Sequence, residues 1–246
     1  MPRFFLSGLI NLETTLAMDG FPLDYFPVRY PFFGLQTTVS GVGFNIAAAL
    51  TKLGNQVDFA SLVGSDDNGL LARKALAEVG VPDGLVLERA SATAQSVILY
   101  DPNGRRQIHV DLKDLQDLRY PQDLAWDAMR GCDLAVLCNI NFSRNLIKPA
   151  QESDALIATD VHALADLGDD FNRDFMDAAE ILFLSDESLW ESPEAVAKAL
   201  LATYGVKILV IGLGGKGALL AVREDDFIRR YPAVFTRPVV NSIGAG

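Results

Sequence analysis

Two cysteines and two histidines among 246 residues leave little material for metal ligation or disulfide bridging. Cys132 and Cys138 flank one apolar, strand-like stretch and fit neither a metal-ligand nor a disulfide spacing, so both read as buried thiols of a reducing cytoplasm. Positive charge is short as well. Against 32 Asp and Glu stand 21 Lys and Arg, a net charge of −11 with no basic cluster. That balance argues against a nucleic-acid backbone as partner, while a nucleotide can still be held by amides and a few cations. No apolar run is long enough to span a membrane, and the opening residues MPRFFL lack the organisation of a secretory signal. Apolar residues make up 50% of the chain, enough for one large α/β domain with at most a small appendage.

The most informative stretch is residues 40–54, SGVGFNIAAALTKLG. Ile46, Ala49, Leu50 and Leu53 recur at i, i+3, i+4 and i+7, which predicts a helix buried on one side. Gly54 and Asn55 stop it. Gly41 and Gly43 precede the helix and let backbone amides approach a ligand. Asn45 adds two donors and an acceptor. The plainer alternative is a glycine turn that only starts a core helix. Residues 56–64 then read as a strand, and SDDNG at 65–69 as a turn and cap.

Residues 4–13 begin as a buried strand and end polar. Ligands collect at the carboxyl ends of strands in a doubly wound sheet, which makes Asn11 and Glu13 candidates, or else exposed strand-end residues. Residues 14–38 are rich in aromatics and proline and suit short strands rather than helix. Residues 93–100 and 105–110 flank Asp101-Pro102-Asn103-Gly104, a hairpin turn. Two β segments interrupting an α/β chain predict a small sheet folded over the site, with His109 a residue of that sheet rather than a catalyst. Helices are expected over 69–80, over 121–130 and after Ser192, and strands over 133–138, 155–160, 179–184 and 206–211. Asn139, Asn141, Asp160 and His162 fall at strand ends, as substrate contacts or as caps. The run GLGGKG at 212–217 has the G-x-G-x-x-G spacing of a dinucleotide site. Residues 218–222 and 227–231 are strand-like, however, where such a site needs a helix.

The order G-x-G-x-N, helix, L-x-x-L-G, strand, V-G-x-D-x-x-G over residues 41–69 resembles the N-terminal signature of the ribokinase-like (PfkB) family of sugar and nucleoside kinases. The resemblance implies a three-layer α/β/α fold with a mostly parallel sheet and a small β lid. The body would take residues 1–13, 39–92 and 112–246, and the lid 14–38 and 93–111. The implied activity is transfer of the γ-phosphoryl group of ATP, with Mg2+, to a hydroxymethyl group of a sugar or sugar-like alcohol. A nucleoside is the alternative acceptor, with Phe32 and Phe33 stacking on the base, and a catalytically silent sugar-binding relative is the non-enzyme alternative. The lid is expected to mediate a homodimer.

By the same resemblance, Asn11, Glu13, Gly41, Gly43 and Asn45 hold the acceptor, with Glu13 standing where the family has Asp. Gly212, Gly214 and Gly217 occupy the family's T-x-G-x-x-G and face the phosphates, with Gly212 replacing the Thr and Lys216 adding charge. Ser185 and Ser188 stand where the family has N-x-x-E, and Asp186 and Glu187 offer carboxylates from a shifted frame. NSIGAG at 241–246 matches the start of D-T-x-G-A-G-D, so Gly244, Ala245 and Gly246 would form the anion hole. The aspartate that serves as general base in the family would come next, and the natural protein is expected to continue past Gly246.

Overall fold

Alternation within the apolar strands requires cover on both sides of one sheet. In β1 (Arg3–Ser7), Phe5 packs on one face and Leu6 on the other. Ala60 and Leu62 of β4 (Gln56–Gly64) join Phe5, whereas Phe59 and Val63 join Leu6. In β8 (Leu134–Leu137), Ala135 and Leu137 oppose Val136 in the same way. Helices α1 (Val42–Lys52) and α2 (Asp67–Val79) cover the Leu6 face with Phe44, Ala47, Ala72 and Leu76. Helix α3 (Gln122–Met129) covers the other with Ala125 and Met129. The result is the three-layer α/β/α arrangement that the sequence predicts, in a computed structural model that describes residues 1–235.

The large sheet has nine strands in the order β13-β12-β11-β10-β9-β8-β1-β4-β5. The further strands are β5 (Val86–Ala90), β9 (Leu156–Asp160), β10 (Ile181–Ser185), β11 (Ile208–Gly212), β12 (Ala218–Val222) and β13 (Phe227–Tyr231). Pairing is parallel from β11 through to β5, and antiparallel where β12 and β13 turn back at one edge. Helix α7 (Pro193–Thr203) begins at Ser192, whose hydroxyl accepts from the Ala195 amide at 3.3 Å. Its Val196, Ala197 and Leu200 pack with Leu209, Ile211, Leu219 and Ala221.

A separate sheet in the order β3-β2-β6-β7 comprises β2 (Asn11–Ala17), β3 (Leu35–Ser40), β6 (Gln95–Tyr100) and β7 (Arg106–Asp111). β2 pairs antiparallel with β3 and parallel with β6, and β6 antiparallel with β7. The β6–β7 turn is held by Asp101, whose carboxylate accepts from the Asn103 and Arg105 amides at 2.9 and 3.0 Å. Burial raises the Asp101 pKa, and bonds from Arg105 outweigh that and hold the carboxyl below the usual range. The small sheet takes in residues 11–13 and 39–40, which the sequence reading grouped with the body. β1 ends at Ser7 and the next strand begins at Asn11 in the other sheet, so Asn11 and Glu13 open a lid strand rather than close β1.

The lid is tied to the body beside β4. The Asp66 carboxylate caps α2 by accepting from the Gly69 amide at 2.9 Å, and also takes the Thr93 amide at 2.9 Å and hydroxyl at 2.5 Å. Burial raises this carboxyl's pKa, but the Thr93 and Gly69 bonds outweigh it and leave it below the usual range. The aspartate of the V-G-x-D-x-x-G segment therefore holds structure at the root of the lid. Cys132 and Cys138 are unpaired and buried, and burial pushes the Cys138 thiol up to about 12. Among the described residues no helix is long and apolar enough to cross a membrane.

Candidate active site

β1 stands between β4 and β8, where the winding of the sheet reverses, and that is where an open α/β sheet gathers ligands. The strand end is closed by glycines. A Cβ on Gly43 would lie 2.6 Å from the Gly8 carbonyl carbon, and one on Gly8 would lie 2.6 Å from Cys138 Sγ. Gly41, with φ of 110°, caps α1, and a Cβ there would meet the Leu9 carbonyl oxygen at 2.5 Å. The Phe44 and Asn45 amides donate to the Leu9 and Gly41 carbonyls at 3.2 and 2.9 Å. In this geometry the glycine pair seats the helix on the strand end, and what reaches solvent is the exposed Asn45 side chain on the first turn.

Opposite that turn lies the root of the lid. Asn11 pairs with Ser40 across β2–β3, and its amide donates to Ser96 Oγ at 2.9 Å. Its Oδ1 is buried without a hydrogen-bond partner. Glu13 is in register with Ser96 and Thr38. Burial pushes its carboxyl above the usual carboxylate range, opposed by a hydrogen bond with Ser40. Ser40 and Ser96 were not singled out from the sequence. Their signal was the strand alternation that sets them beside Asn11 and Glu13, which becomes readable once β2 is separated from β1.

The second half of the site lies at the ends of β10 and β11, where Ser185 and Gly212 are in register and the Asp186 amide donates to the Gly212 carbonyl at 2.9 Å. A 3-10 turn (Gly214–Lys216) follows, then Gly217 at φ of 100°, where a Cβ would fall 2.0 Å from the Tyr231 carbonyl oxygen. Cβ atoms on Gly214 or Gly215 would meet nothing within 4 Å, and one on Gly212 only the Leu184 oxygen at 3.8 Å. Packing thus accounts for Gly217 and leaves open space over Gly212, Gly214 and Gly215, beside the exposed Lys216. The strand β12 that follows is antiparallel, so the motif lacks the helix that a dinucleotide site requires.

Other polar strand ends satisfy one another. Asn139 donates to Asn172 Oδ1 at 2.9 Å, Asn141 to the Gln116 carbonyl, and Asp160 accepts from the His162 amide at 2.7 Å. Glu187, offered by the sequence as a shifted-frame carboxylate, lies 3.3 Å from Arg106 of the lid. Among the described residues no group of three or more His, Cys, Asp or Glu forms a metal site. Gly244, Ala245 and Gly246 lie outside the described residues.

A mostly parallel sheet whose switch point is roofed by a separate four-stranded sheet defines a ribokinase-like α/β protein. The sequence profile of the pfkB family carbohydrate kinases matches residues 28–246. The chain therefore belongs to the pfkB family of carbohydrate kinases, which are transferases. It is 24% identical to an ATP-dependent ribose-1-phosphate kinase of Halopiger xanaduensis, spanning 100% of this chain and 81% of that protein. It is 28% identical to the bifunctional protein HldE of Caulobacter vibrioides over 92% of this chain and 51% of that one. Among solved structures, the microbiome-derived acarbose kinase Mak1 superposes with a TM-score of 0.85 at 22% identity, covering 100% of this chain and 81% of that one. Arabidopsis thaliana ribokinase complexed with ribose and ATP gives 0.77 at 20% identity, covering 99% and 81%. The structural likenesses carry the fold, and the profile carries the family.

Proposed function

We propose that this chain transfers the γ-phosphoryl group of ATP to a hydroxymethyl group of a sugar or sugar-like alcohol. The observation that carries the reading is the division of one sheet edge into two unlike halves. At the switch point stand hydroxyl-seeking groups: the half-buried Glu13 carboxylate, the exposed Asn45 side chain and the partnerless Asn11 Oδ1. A buried acceptor without a partner costs about 1–3 kcal/mol, which a hydroxyl donor reaching Asn11 would recover. At the β10–β11 end stands a glycine cradle with room above it.

Ser185, Gly212, Gly214 and Gly217 would hold the phosphates of ATP, with Lys216 supplying charge, and Gly41 and Gly43 would fix the floor of the acceptor site. Gly244, Ala245 and Gly246 keep the anion-hole role that the family signature gives them. Mg2+ entering with ATP would supply positive charge against the charge that develops during transfer. We place the reaction in the cytoplasm, in keeping with the two unpaired thiols. We take the working unit to be a homodimer formed through the lid, whose loop exposes Tyr25, Phe26, Tyr30, Phe32 and Phe33.

The test is ADP release from Mg2+-ATP across pentoses, hexoses, sugar phosphates and nucleosides, with sedimentation of the same sample to weigh the dimer. Turnover on one sugar is expected. Turnover confined to nucleosides would favour the alternative acceptor, and a sugar that raises Tm without turnover would make the protein a silent binder. Gly215→Ala locates the nucleotide. Nothing lies within 4 Å of the added methyl, so stability should stay within about 0.5 kcal/mol of the parent. The KM for ATP should rise about tenfold, the scale of one lost hydrogen bond.

A further inference from the structure

Residues in register across a sheet share a face. Glu13 is in register with Ser96 on β6, and Ala17 with Tyr100, which is itself in register with Arg106 on β7. Arg106 therefore lies on the same face as Glu13, at the opposite end of the lid. Seven residues of β2 reach about 20 Å at the rise of a strand, while the three strand spacings from β1 to β10 amount to about 14 Å. The lid is long enough to cross the sheet edge from the acceptor half to the phosphate half. It does cross, because Arg106 Nη2 lies 3.3 Å from Glu187 Oε1, two residues past Ser185 at the end of β10.

We propose that Arg106 and Glu187 are positioning residues that fasten the far end of the lid, so that the lid closes as a span held at both ends rather than as a flap. The near end is held by the Asp66–Thr93 bonds and by the Gly64 amide donating to the Thr93 hydroxyl at 3.0 Å. The far end carries an ion pair whose side chains keep 31% and 64% of their exposure. An exposed pair of this kind is weak and is screened by salt. Weakness suits the task, since a fastening that must release substrate and product has to open on each cycle. Glu187 then serves the site by fixing the height of the lid over Glu13 and the glycine cradle, without itself touching metal or phosphate. The inference builds on the kinase reading for its purpose, but the fastening is a property of the protein alone.

Hydrogen exchange on the intact protein tests it, with Glu187→Gln, Arg106→Gln and the double variant compared at low salt. Each single substitution is expected to speed exchange of the β6–β7 amides about two- to fivefold. Exchange at Leu12 and Thr93 should not change. The double variant should be no faster than Arg106→Gln alone, because Glu187→Gln then removes a pair that is already broken. Where turnover is found, Glu187→Gln should raise the KM for the acceptor more than it lowers kcat. Unchanged exchange at the tip of the lid in Glu187→Gln, or additive effects in the double variant, would overturn the proposal. Exchange needs no turnover, so a failed kinase assay would leave this test standing by itself.

Discussion

Gly43→Ala is expected to cost the folded state about 3 kcal/mol, the upper part of the range for forcing an atom into a packed interior. For a chain of this size that lowers Tm by about 10 °C. The added methyl would sit 2.6 Å from the Gly8 carbonyl carbon and 2.9 Å from its oxygen, both backbone atoms that no rotamer change can move. Relief requires α1 to lift from the end of β1, which also displaces Asn45 from the proposed acceptor site. Activity should therefore fall even at temperatures where the variant is folded. Thermal unfolding beside Gly215→Ala makes the contrast, since the same methyl is added to one glycine in each of the two glycine-rich runs. Equal stability of the two variants would refute the packing role of Gly43.

Glu13→Gln should lower kcat/KM for the acceptor about a hundredfold while leaving the KM for ATP near the parent value. A hydrogen bond to a charged group is worth about 1.5–3 kcal/mol, and each 1.4 kcal/mol is a factor of ten in rate. Stability should move the other way. Burial raises the Glu13 pKa, so the folded state holds the proton more tightly than the unfolded chain does. Above that raised value the ionised carboxylate is a cost to folding, and at neutral pH its neutral amide counterpart removes the cost. Tm should hold or rise as turnover collapses, a combination that a structural role for Glu13 would not produce. Unchanged acceptor kinetics would remove Glu13 from the site.

Much of this was legible in the chain. The helix over residues 42–52 followed from apolar spacing, and the hairpin at Asp101-Pro102-Asn103-Gly104 from its turn residues, with Gly104 at φ of 81°. The returning strands after GLGGKG were read correctly because Ala218–Val222 lacks the polar face of a surface helix. The break after β1 was harder to see. Leu9 and Ile10 continue the apolar run through the corner, so two strands of different sheets read as one. The glycines of the first signature also concealed their use, since a glycine that admits a ligand and one that admits another backbone are the same letter. Arg106 and Glu187 are 81 positions apart, and no local pattern joins them. The short helices α4 (Asn141–Arg144), α5 (Ile147–Glu152) and α6 (Arg173–Ala178) carry too few turns to show a period.

The parallel pairing of β2 with β6 also orders the folding of the chain. Its first rung joins Leu12 to Gln95, and everything between them except the β2–β3 hairpin belongs to the unit α1–β4–α2–β5. Closing that loop through unfolded chain is entropically costly, and it becomes cheap once the intervening unit has packed and delivered its two ends to the same place. Until then β2 presents an unpaired edge, the kind of surface that recruits other chains. In pulse-labelled refolding the amides of β2 and β6 should gain protection after those of β1 and β4. The roof over the site would then be the last part of this unit to form and the first exposed when it loosens.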